Sequence, residues 1–200
     1  VWAERGLTLD KDSPHRSTAA PDLARLRRTL LVKLGRSGEA LEEAWTQFHE
    51  HPNTFTYGEF MRLVPKADRA TWHAKAMAAS ETRDLGSLVA LWLETGEIDR
   101  LVARLRAATD REIESQSHYT TEPAAKRIEK AHPAVAAKVY RALGMRIVNA
   151  AKSKYYDAAL LDFERAKRCY RRAGLTEAWD RTVADIRRDH SRKTGFIPGF

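Results

Sequence analysis

Histidine and cysteine are the residues of this 200-residue sequence whose chemistry is most distinctive, with seven histidines and one cysteine. His49 and His51 are two positions apart, so on one helix their side chains point about 200° apart. They can share a metal only where that helix has already ended. His118 lies near Glu114 and Glu122, a spacing that allows a carboxylate–histidine pair for acid–base chemistry. A polar helix end and a solvated cluster are the commoner outcomes of these two patterns, and we expect them here.

Cys169 is the only cysteine, which excludes an internal disulfide and is compatible with a reducing compartment. Arg168 and Arg172 lie close to it along the chain, and nearby cations lower the pKa of a thiol. Because Cys169 also lies beside Tyr170 on an apolar helix stripe, we expect a half-buried small hydrophobic residue rather than a reactive thiol.

The sequence contains none of the short motifs that mark common catalytic or nucleotide-binding sites. GxGxxG, GxxxxGK[ST], GxSxG and HExxH are all absent. We therefore expect a protein that is not an enzyme and that has no cofactor and no metal site of its own.

Positive charge is concentrated near the end of the sequence. The net charge is +8, and residues 151–193 alone contribute +5, from twelve Lys or Arg and seven Asp or Glu. The candidate residues for binding an anion or a partner are Arg165, Arg168, Arg172, Arg188, Arg192 and Lys193. The first three recur at i, i+3 and i+7, opposite an apolar stripe. Two interpretations stay open, a patch for phosphates or acidic side chains and a solvated face with cations near helix C-termini.

Helical patterning must position these residues. The composition, 43% hydrophobic and 31% charged, is typical of a water-soluble globular protein, and good helix formers dominate it. The clearest apolar stripe at helical spacing consists of Tyr156, Ala159, Phe163, Ala166 and Tyr170. No sustained period-2 pattern and no Asn-Gly or Asp-Gly turn is present. We predict an all-α protein of about eleven helices, stacked as antiparallel hairpins, without a sheet.

Three details of these helices can be predicted. The predicted N-caps are Thr54, Asp68, Asp84, Asp110 and Thr176. The helix beginning after Asp84 is apolar nearly all round, so we expect it to be the most buried. The longest apolar run of the whole sequence, residues 88–93, lies in this helix and is much too short to span a membrane, which takes roughly 20 residues. The aromatic residues at core spacing, expected to be core rather than base-stacking platforms, are Trp45, Trp72, Trp92, Trp179 and Tyr156.

The predicted domain organisation has three parts. Residues 1–20 are interpreted as the end of a preceding helix and a linker, and residues 194–200 as a non-helical tail. Residues 21–193 are interpreted as a single helical-repeat domain, with a weak break near residues 109–123. Because the sequence starts at Val1 with what reads as a last helical turn, we expect a piece of a longer, cytoplasmic protein.

An internal repeat supports the stacked-hairpin architecture. Three segments share a spacing of a large residue, a small or medium one three later, and a large one four after that. They are Leu41-Ala44-Phe48, Ile98-Leu101-Leu105 and Tyr156-Ala159-Phe163, whose starts lie 57 (98 minus 41) and 58 (156 minus 98) residues apart. Units of this kind cannot bury an apolar face alone, so neighbouring units stack.

One of these segments resembles a tetratricopeptide repeat. The matching residues are Leu88-x3-Trp92-x3-Gly96-x-Ile98-x2-Leu101-x3-Leu105-x2-Ala108, and Tyr156-x2-Ala159-x3-Phe163-x2-Ala166 resembles the second helix of the same motif. The resemblance implies an irregular α-solenoid whose concave surface binds a protein partner. The sequence departs from the family where Leu101 replaces a small residue, and its repeat spacing exceeds the family's usual length of about 34.

A second resemblance lies near the end of the sequence. His132-Pro133-x6-Tyr140-Arg141-Ala142, Lys152-Ser153-Lys154-Tyr155-Tyr156, and the stretch from His190 to Phe200 resemble the C-terminal helical region of bacterial SWIM zinc-finger proteins. This resemblance implies a zinc module upstream and an accessory, DNA-associated role. The sequence therefore leaves two functions open. The leading one is a protein–protein interaction or scaffolding segment, and the alternative is a nucleic-acid-associated segment that uses the basic C-terminal helices.

Overall fold

The structure is a computed structural model that describes residues 5, 6, 8, 20–81, 83–193 and 195–200. Its described residues from Ala20 onward form eleven α-helices and no β-strand, which confirms the predicted all-α fold. The helices are α1 Ala20–Lys33, α2 Ser37–Glu50, α3 Thr54–Leu63, α4 Arg69–Ser80, α5 Leu85–Thr95, α6 Ile98–Ala107, α7 Asp110–Glu114, α8 His118–Ile128, α9 Pro133–Asn149, α10 Tyr156–Arg172 and α11 Thr176–Asp189. Most of the predicted helix end and linker over residues 1–20 lies outside the described residues.

The chain divides into two compact units, residues 1–83 and residues 84–200. The segment 109–123, where the sequence suggests a weak break, lies inside the second unit as α7 and the start of α8. Two compact units can belong to one folding domain, so the single domain predicted over residues 21–193 stays a prediction.

Within residues 20–81, the first unit has four α-helices that pack on their neighbours in sequence. α1 packs on α2, α2 packs on α3, and α4 packs on both α2 and α3. α3 begins at a capping box in which the Asn53 side chain accepts a hydrogen bond from the backbone N–H of Thr56 at 3.0 Å. The predicted cap Thr54 is therefore wrong by one position, because it is the first helical residue.

Two tryptophans of the first unit are less buried than the sequence predicts. Trp45 and Trp72 are half-buried, with ring centroids 5.4 Å apart. The Nζ atom of Lys75 lies 4.5 Å and 4.4 Å from the two centroids, within cation–π range. Apolar stems and cations commonly cover such rings at the protein surface. Trp92, Trp179 and Tyr156 in the second unit are buried, as predicted.

The second unit is organised around α9, which packs on α6, α7, α8 and α10. α9 buries nine of its 17 residues, whereas α5 buries five of its eleven. The prediction that the helix after Asp84 is the most buried is therefore wrong. Small residues such as Ala136, Ala137 and Gly144 let other helices approach α9 from several sides, which raw hydrophobicity does not reveal.

The closest approach between α9 and α10 is at Gly144. A Cβ atom built on Gly144 would lie 2.8 Å from two ring carbons of Phe163. Phe163 is only 2% exposed, and every member of its predicted stripe is buried. Gly144 therefore provides the space that this aromatic ring fills.

The tail after α11 is part of the core of the second unit. Its described residues do not continue α11, and residues Ile197–Gly199 form a single turn of 3-10 helix. Phe196 is fully buried, with ring centroids 5.5 Å from Tyr156 and 5.9 Å from Phe163. Phe200 lies 4.8 Å from Phe163 by the same measure. The sequence predicts the end of the helix but not this packing.

Candidate binding pocket

Two concavities lie on neighbouring faces of α10 in the second unit. The first, which we call the Asp162 pocket, lies among α8, α9 and α10 and has a volume of about 540 Å³. Its polar lining consists of His118, Glu122, Arg146, Lys152, Asp162 and Arg165. The second, which we call the Trp179 groove, lies between α10, α11 and the tail and measures about 580 Å³. Phe163, Trp179 and Phe200 contribute aromatic surface to it.

An ion triad crosses the Asp162 pocket from α8 to α10. The Nη1 atom of Arg165 lies 2.6 Å from Oε1 of Glu122 and 3.4 Å from Oδ1 of Asp162. The guanidinium carbon also lies 5.6 Å from the ring centroid of Tyr140, on α9. Arg165 is therefore a link between three helices, and both carboxylates of the pocket are bound to it.

The Asp162 carboxyl has an unusual protonation equilibrium. Burial raises the pKa of Asp162 to about 6, the nearby Glu122 carboxylate raises it as well, and Arg165 opposes both. The side chain is only 14% exposed. Asp162 is ionised at neutral pH, but a modest acidification protonates it and weakens its attraction to Arg165.

Exposed apolar side chains surround this pocket. Tyr119 is 81% exposed, Tyr155 50% and Leu161 53%, and all three line the Asp162 pocket. Leu175 is the other large hydrophobic residue that the described part of the second unit leaves exposed, and it lines neither concavity. The His118 ring packs against Tyr119, with centroids 3.9 Å apart. The pocket thus has an apolar rim above a charged interior.

Two cations of the pocket have no acidic partner among the residues that the structure describes, Arg146 and Lys152. Arg146 lies in the last turn of α9, and Lys152 follows that helix. The backbone N–H of Lys152 donates to the carbonyl of Ile147 at 3.3 Å, which folds the turn back on the helix end. With Arg165 against Glu122 and Asp162, the pocket carries three positive and two negative charges, a net of +1.

Two candidate residues of the predicted basic face form ion pairs within the protein. Arg165 is half-buried in the wall of the Asp162 pocket, because two carboxylates and the Tyr140 ring hold it there. Arg188 is exposed, but its guanidinium lies 2.8 Å from both Asp185 and Asp189. Two of the six candidate cations are therefore already paired with carboxylates.

The other candidates lie at the surface. Arg168, Arg172 and Arg192 are exposed, and Lys193 is half-buried. The guanidinium of Arg172 donates to the backbone carbonyl of Glu129 at 3.5 Å. A shared binding patch of the six cations therefore stays a prediction, with two members paired to carboxylates and three others exposed.

The carboxylates near His118 in the sequence have other partners, and Cys169 is buried. Glu122 is bound to Arg165, and Glu114 accepts a hydrogen bond from Nδ2 of Asn149 at 2.8 Å. Burial raises the pKa of the Cys169 thiol, which is 5% exposed, so the residue is a packed hydrophobic group. No group of three or more potential metal ligands occurs among the residues described.

Sequence reasoning missed most of the pocket. Asp162 and Arg165 are spaced i, i+3, which indicates an ion pair but gives no sign of burial. Arg146, Lys152 and Tyr155 belong to a helix end and its turn, where polar and aromatic residues are common.

No described helix has both the length and the apolar character needed to cross a membrane.

Comparison with known proteins identifies a family but no function. The model of one protein family, described as "Family of unknown function (DUF6880)", matches residues 5–198, nearly the whole sequence. No curated protein and no solved structure matches the chain. Any functional conclusion must therefore come from the geometry of the chain itself.

Proposed function

We propose that this chain, a member of the DUF6880 family of unknown function, is a non-catalytic interaction module. In this proposal, its Asp162 pocket receives a segment of a protein partner. One observation carries the proposal: Tyr119, Tyr155 and Leu161, three exposed large hydrophobic side chains, converge on a single charged pocket. Apolar surface beside a few fixed polar groups is typical of binding sites.

The size and lining of the pocket also support this proposal. Its volume of about 540 Å³ is within the usual range for binding pockets, roughly 300–1,000 Å³. Tyrosine and arginine are enriched where proteins bind one another, because each combines a large contact surface with hydrogen-bonding groups. Tyr119, Tyr155 and Arg146 provide that combination here.

The tetratricopeptide-like architecture remains part of the proposal. The packing of α5 on α6 and of α9 on α10 supports it, because both are pairs of helices consecutive in the chain. A cytoplasmic location also belongs to the proposal, supported by the single unpaired Cys169.

Affinity capture tests the function. The chain is immobilised and exposed to a lysate of its source cells, in parallel with a Tyr119→Ser/Tyr155→Ser variant and a Leu175→Ser control. We expect the wild type and the control to retain the same proteins, and the double variant to lose at least one of them. Identical sets of retained proteins from all three would contradict the proposal.

The alternative is a nucleic-acid-associated segment, and the exposed Arg168 and Arg192, together with the half-buried Lys193, support it. Binding through phosphates makes log affinity fall with log salt, with a slope of about −0.9 per contact on duplex DNA. A salt titration with duplex DNA, repeated after replacing these three residues with alanine, tests the alternative. A slope reduced by about two to three units supports it, and no binding at low salt rejects it.

A further inference from the structure

We infer that the partner segment bound in the Asp162 pocket presents an acidic side chain next to a large apolar one, a conclusion that rests on the proposed function. The acidic group would lie against Arg146 and Lys152, and the apolar group against the rim of Tyr119, Tyr155 and Leu161. This inference specifies the chemistry of the partner, which the proposed function leaves open.

The balance of charges in the pocket favours an anion. Arg165 is bound to both carboxylates of the pocket, Glu122 and Asp162. Arg146 and Lys152 have no such partner among the described residues. A partner that entered without a negative charge would desolvate these two cations and give no compensating interaction. A carboxylate would provide that compensation.

In the described structure, the charges of the pocket that form ion pairs and the two cations that form none come from different elements of the fold. Glu122 lies on α8 and Asp162 on α10, where Arg165 joins them. Arg146 and Lys152 both belong to the end of α9 and the turn after it, which the bond from Lys152 N–H to Ile147 holds together. The two cations without a described acidic partner therefore belong to one short segment, and the carboxylates that Arg165 binds belong to two other helices.

The helix dipole offers another explanation for a cation at the end of α9. A basic residue in the last turn of a helix interacts favourably with the helix dipole by about 0.3–1 kcal/mol, and Arg146 occupies that position. This effect does not account for Lys152, which lies beyond the helix, nor for the exposed apolar rim beside both cations. The experiment therefore compares these cations with surface cations elsewhere.

A peptide fits this arrangement better than a nucleic acid does. A phosphodiester strand carries a negative charge at every nucleotide, so a strand crossing the pocket would bring phosphates towards Glu122 and Asp162. A peptide with one acidic residue can place its single charge against Arg146 and Lys152. Its neighbouring apolar side chain can then contact the tyrosines of the rim.

Fluorescently labelled peptide pools provide the test. Each pool is a set of ten-residue peptides with Phe, Trp or Leu at a central position, preceded by Glu or Asp in the first pool, Gln or Asn in the second, and Lys or Arg in the third. Binding to the purified chain is measured by fluorescence anisotropy. We expect the acidic pool to bind about tenfold more tightly than the amide pool, and the basic pool to bind most weakly.

A pair of charge-matched variants assigns the preference to the pocket. Arg146→Gln/Lys152→Gln should abolish the difference between the acidic and amide pools. Lys130→Gln/Arg181→Gln removes the same charge from exposed positions outside both concavities and should leave the difference intact. An equal loss in both variants would overturn the inference, because the effect would then be one of net charge.

The outcomes separate the inference from the proposed function. If the amide pool binds as tightly as the acidic pool, and Tyr119→Ser/Tyr155→Ser abolishes both, the pocket binds peptides and only the inference is overturned. If no pool binds, both are overturned. If an oligothymidylate of ten nucleotides binds more tightly than every pool, and Arg146→Gln/Lys152→Gln removes that binding, the pocket is a nucleic-acid site and the inference is wrong.

Discussion

The Asp162 pocket and the Trp179 groove share Leu161, yet they are built from different chemistry. The groove rests on packed aromatic rings, with Phe163 between the helices and Phe200 of the tail against it. The pocket rests on a carboxylate whose desolvation raises its pKa and opposes its ionisation. Apolar packing stabilises a fold, whereas a desolvated charge destabilises it and is found disproportionately at functional sites. We therefore expect substitutions in the groove to change stability, and substitutions in the pocket to change pH dependence and binding.

Phe163→Ala should have the largest effect on stability. Removing a fully buried aromatic ring from a packed core costs roughly 3–5 kcal/mol of unfolding free energy. Urea denaturation measures it, with Leu161→Ala on the same helix as the control. Leu161 is exposed, so its substitution should change stability by no more than about 0.5 kcal/mol. A loss below about 1 kcal/mol for Phe163→Ala would contradict the assignment of its stripe to the core.

Asp162→Asn should remove a pH dependence of stability that the burial of this carboxyl creates. Because the folded pKa, about 6, lies above the unfolded value of 3.8, the native state binds the proton more tightly. The contribution of this group to the unfolding free energy therefore falls as pH rises from about 4 to 6, and it is constant above that window. The variant should gain stability relative to the wild type across it, by up to about 3 kcal/mol.

The measurement for Asp162→Asn is the difference between the two proteins in urea denaturation from pH 3.5 to 7.5. The comparison with the variant is needed because carboxyls with a lowered pKa make the unfolding free energy rise with pH instead. The pKa of Glu112, for example, is lowered to about 2 by hydrogen bonds from the Thr109 backbone and from Arg104. Parallel stability curves for wild type and variant would show that the Asp162 carboxyl is not perturbed by folding.

Gly144→Ala tests the contact that underlies the groove. The added methyl group would meet the Phe163 ring at 2.8 Å, so the helices or the ring must shift. Overpacking of this kind costs about 1–3 kcal/mol. Thermal and urea denaturation measure the loss, and Gly38→Ala, at a helical position with open space around it, is the matched control. Equal stability changes in both variants would mean that the contact is not tight.

Arg146→Gln/Lys152→Gln should have the smallest effect on stability, although it should abolish the preference for acidic peptides. Neither cation forms an ion pair within the described structure, so the unfolding free energy should change by no more than about 0.5 kcal/mol. Denaturation of the same samples used for peptide binding measures it. A loss above about 1.5 kcal/mol would assign these residues a structural role instead.

The helices were predictable because their signal is local. The stripe from Tyr156 to Tyr170 repeats at helical spacing, and all five of its members are buried. Helix starts were less predictable, because a cap depends on which side chain reaches a free N–H. Asp84 does cap its helix, accepting a bond from the N–H of Ser87 at 3.0 Å. Asp110 and Thr176 are instead the first residues of their helices.

The remaining predicted cap is right in position, because Asp68 is the N-cap residue of α4, but it makes no capping bond. Asp68 precedes α4 but makes no hydrogen bond to it through its side chain, because it ends the short 3-10 helix Lys66–Asp68. The chain enters α4 already helical, so the usual geometry of a cap does not arise there. Sequence alone does not show that a turn of 3-10 helix runs directly into the next α-helix.

The candidate site was not predictable because its parts are distant in sequence. Glu122 and Arg165 are 43 positions apart, and only the packing of α8, α9 and α10 brings them to 2.6 Å. The same packing turns Arg165 from a predicted surface cation into a half-buried link between helices. Phe196 was interpreted as part of a tail, and its burial depends on a space between helices that no local pattern describes.

The close packing of Gly144 against Phe163 also limits which pairs of residues relatives in this family can have at these two positions. Because a side chain at position 144 and a full aromatic ring at position 163 require the same space, either substitution alone is penalised and the two together are tolerated. We expect the two positions to covary, with larger residues at 144 accompanied by smaller ones at 163. Such a pair would reveal the contact between α9 and α10 to anyone who compares enough relatives.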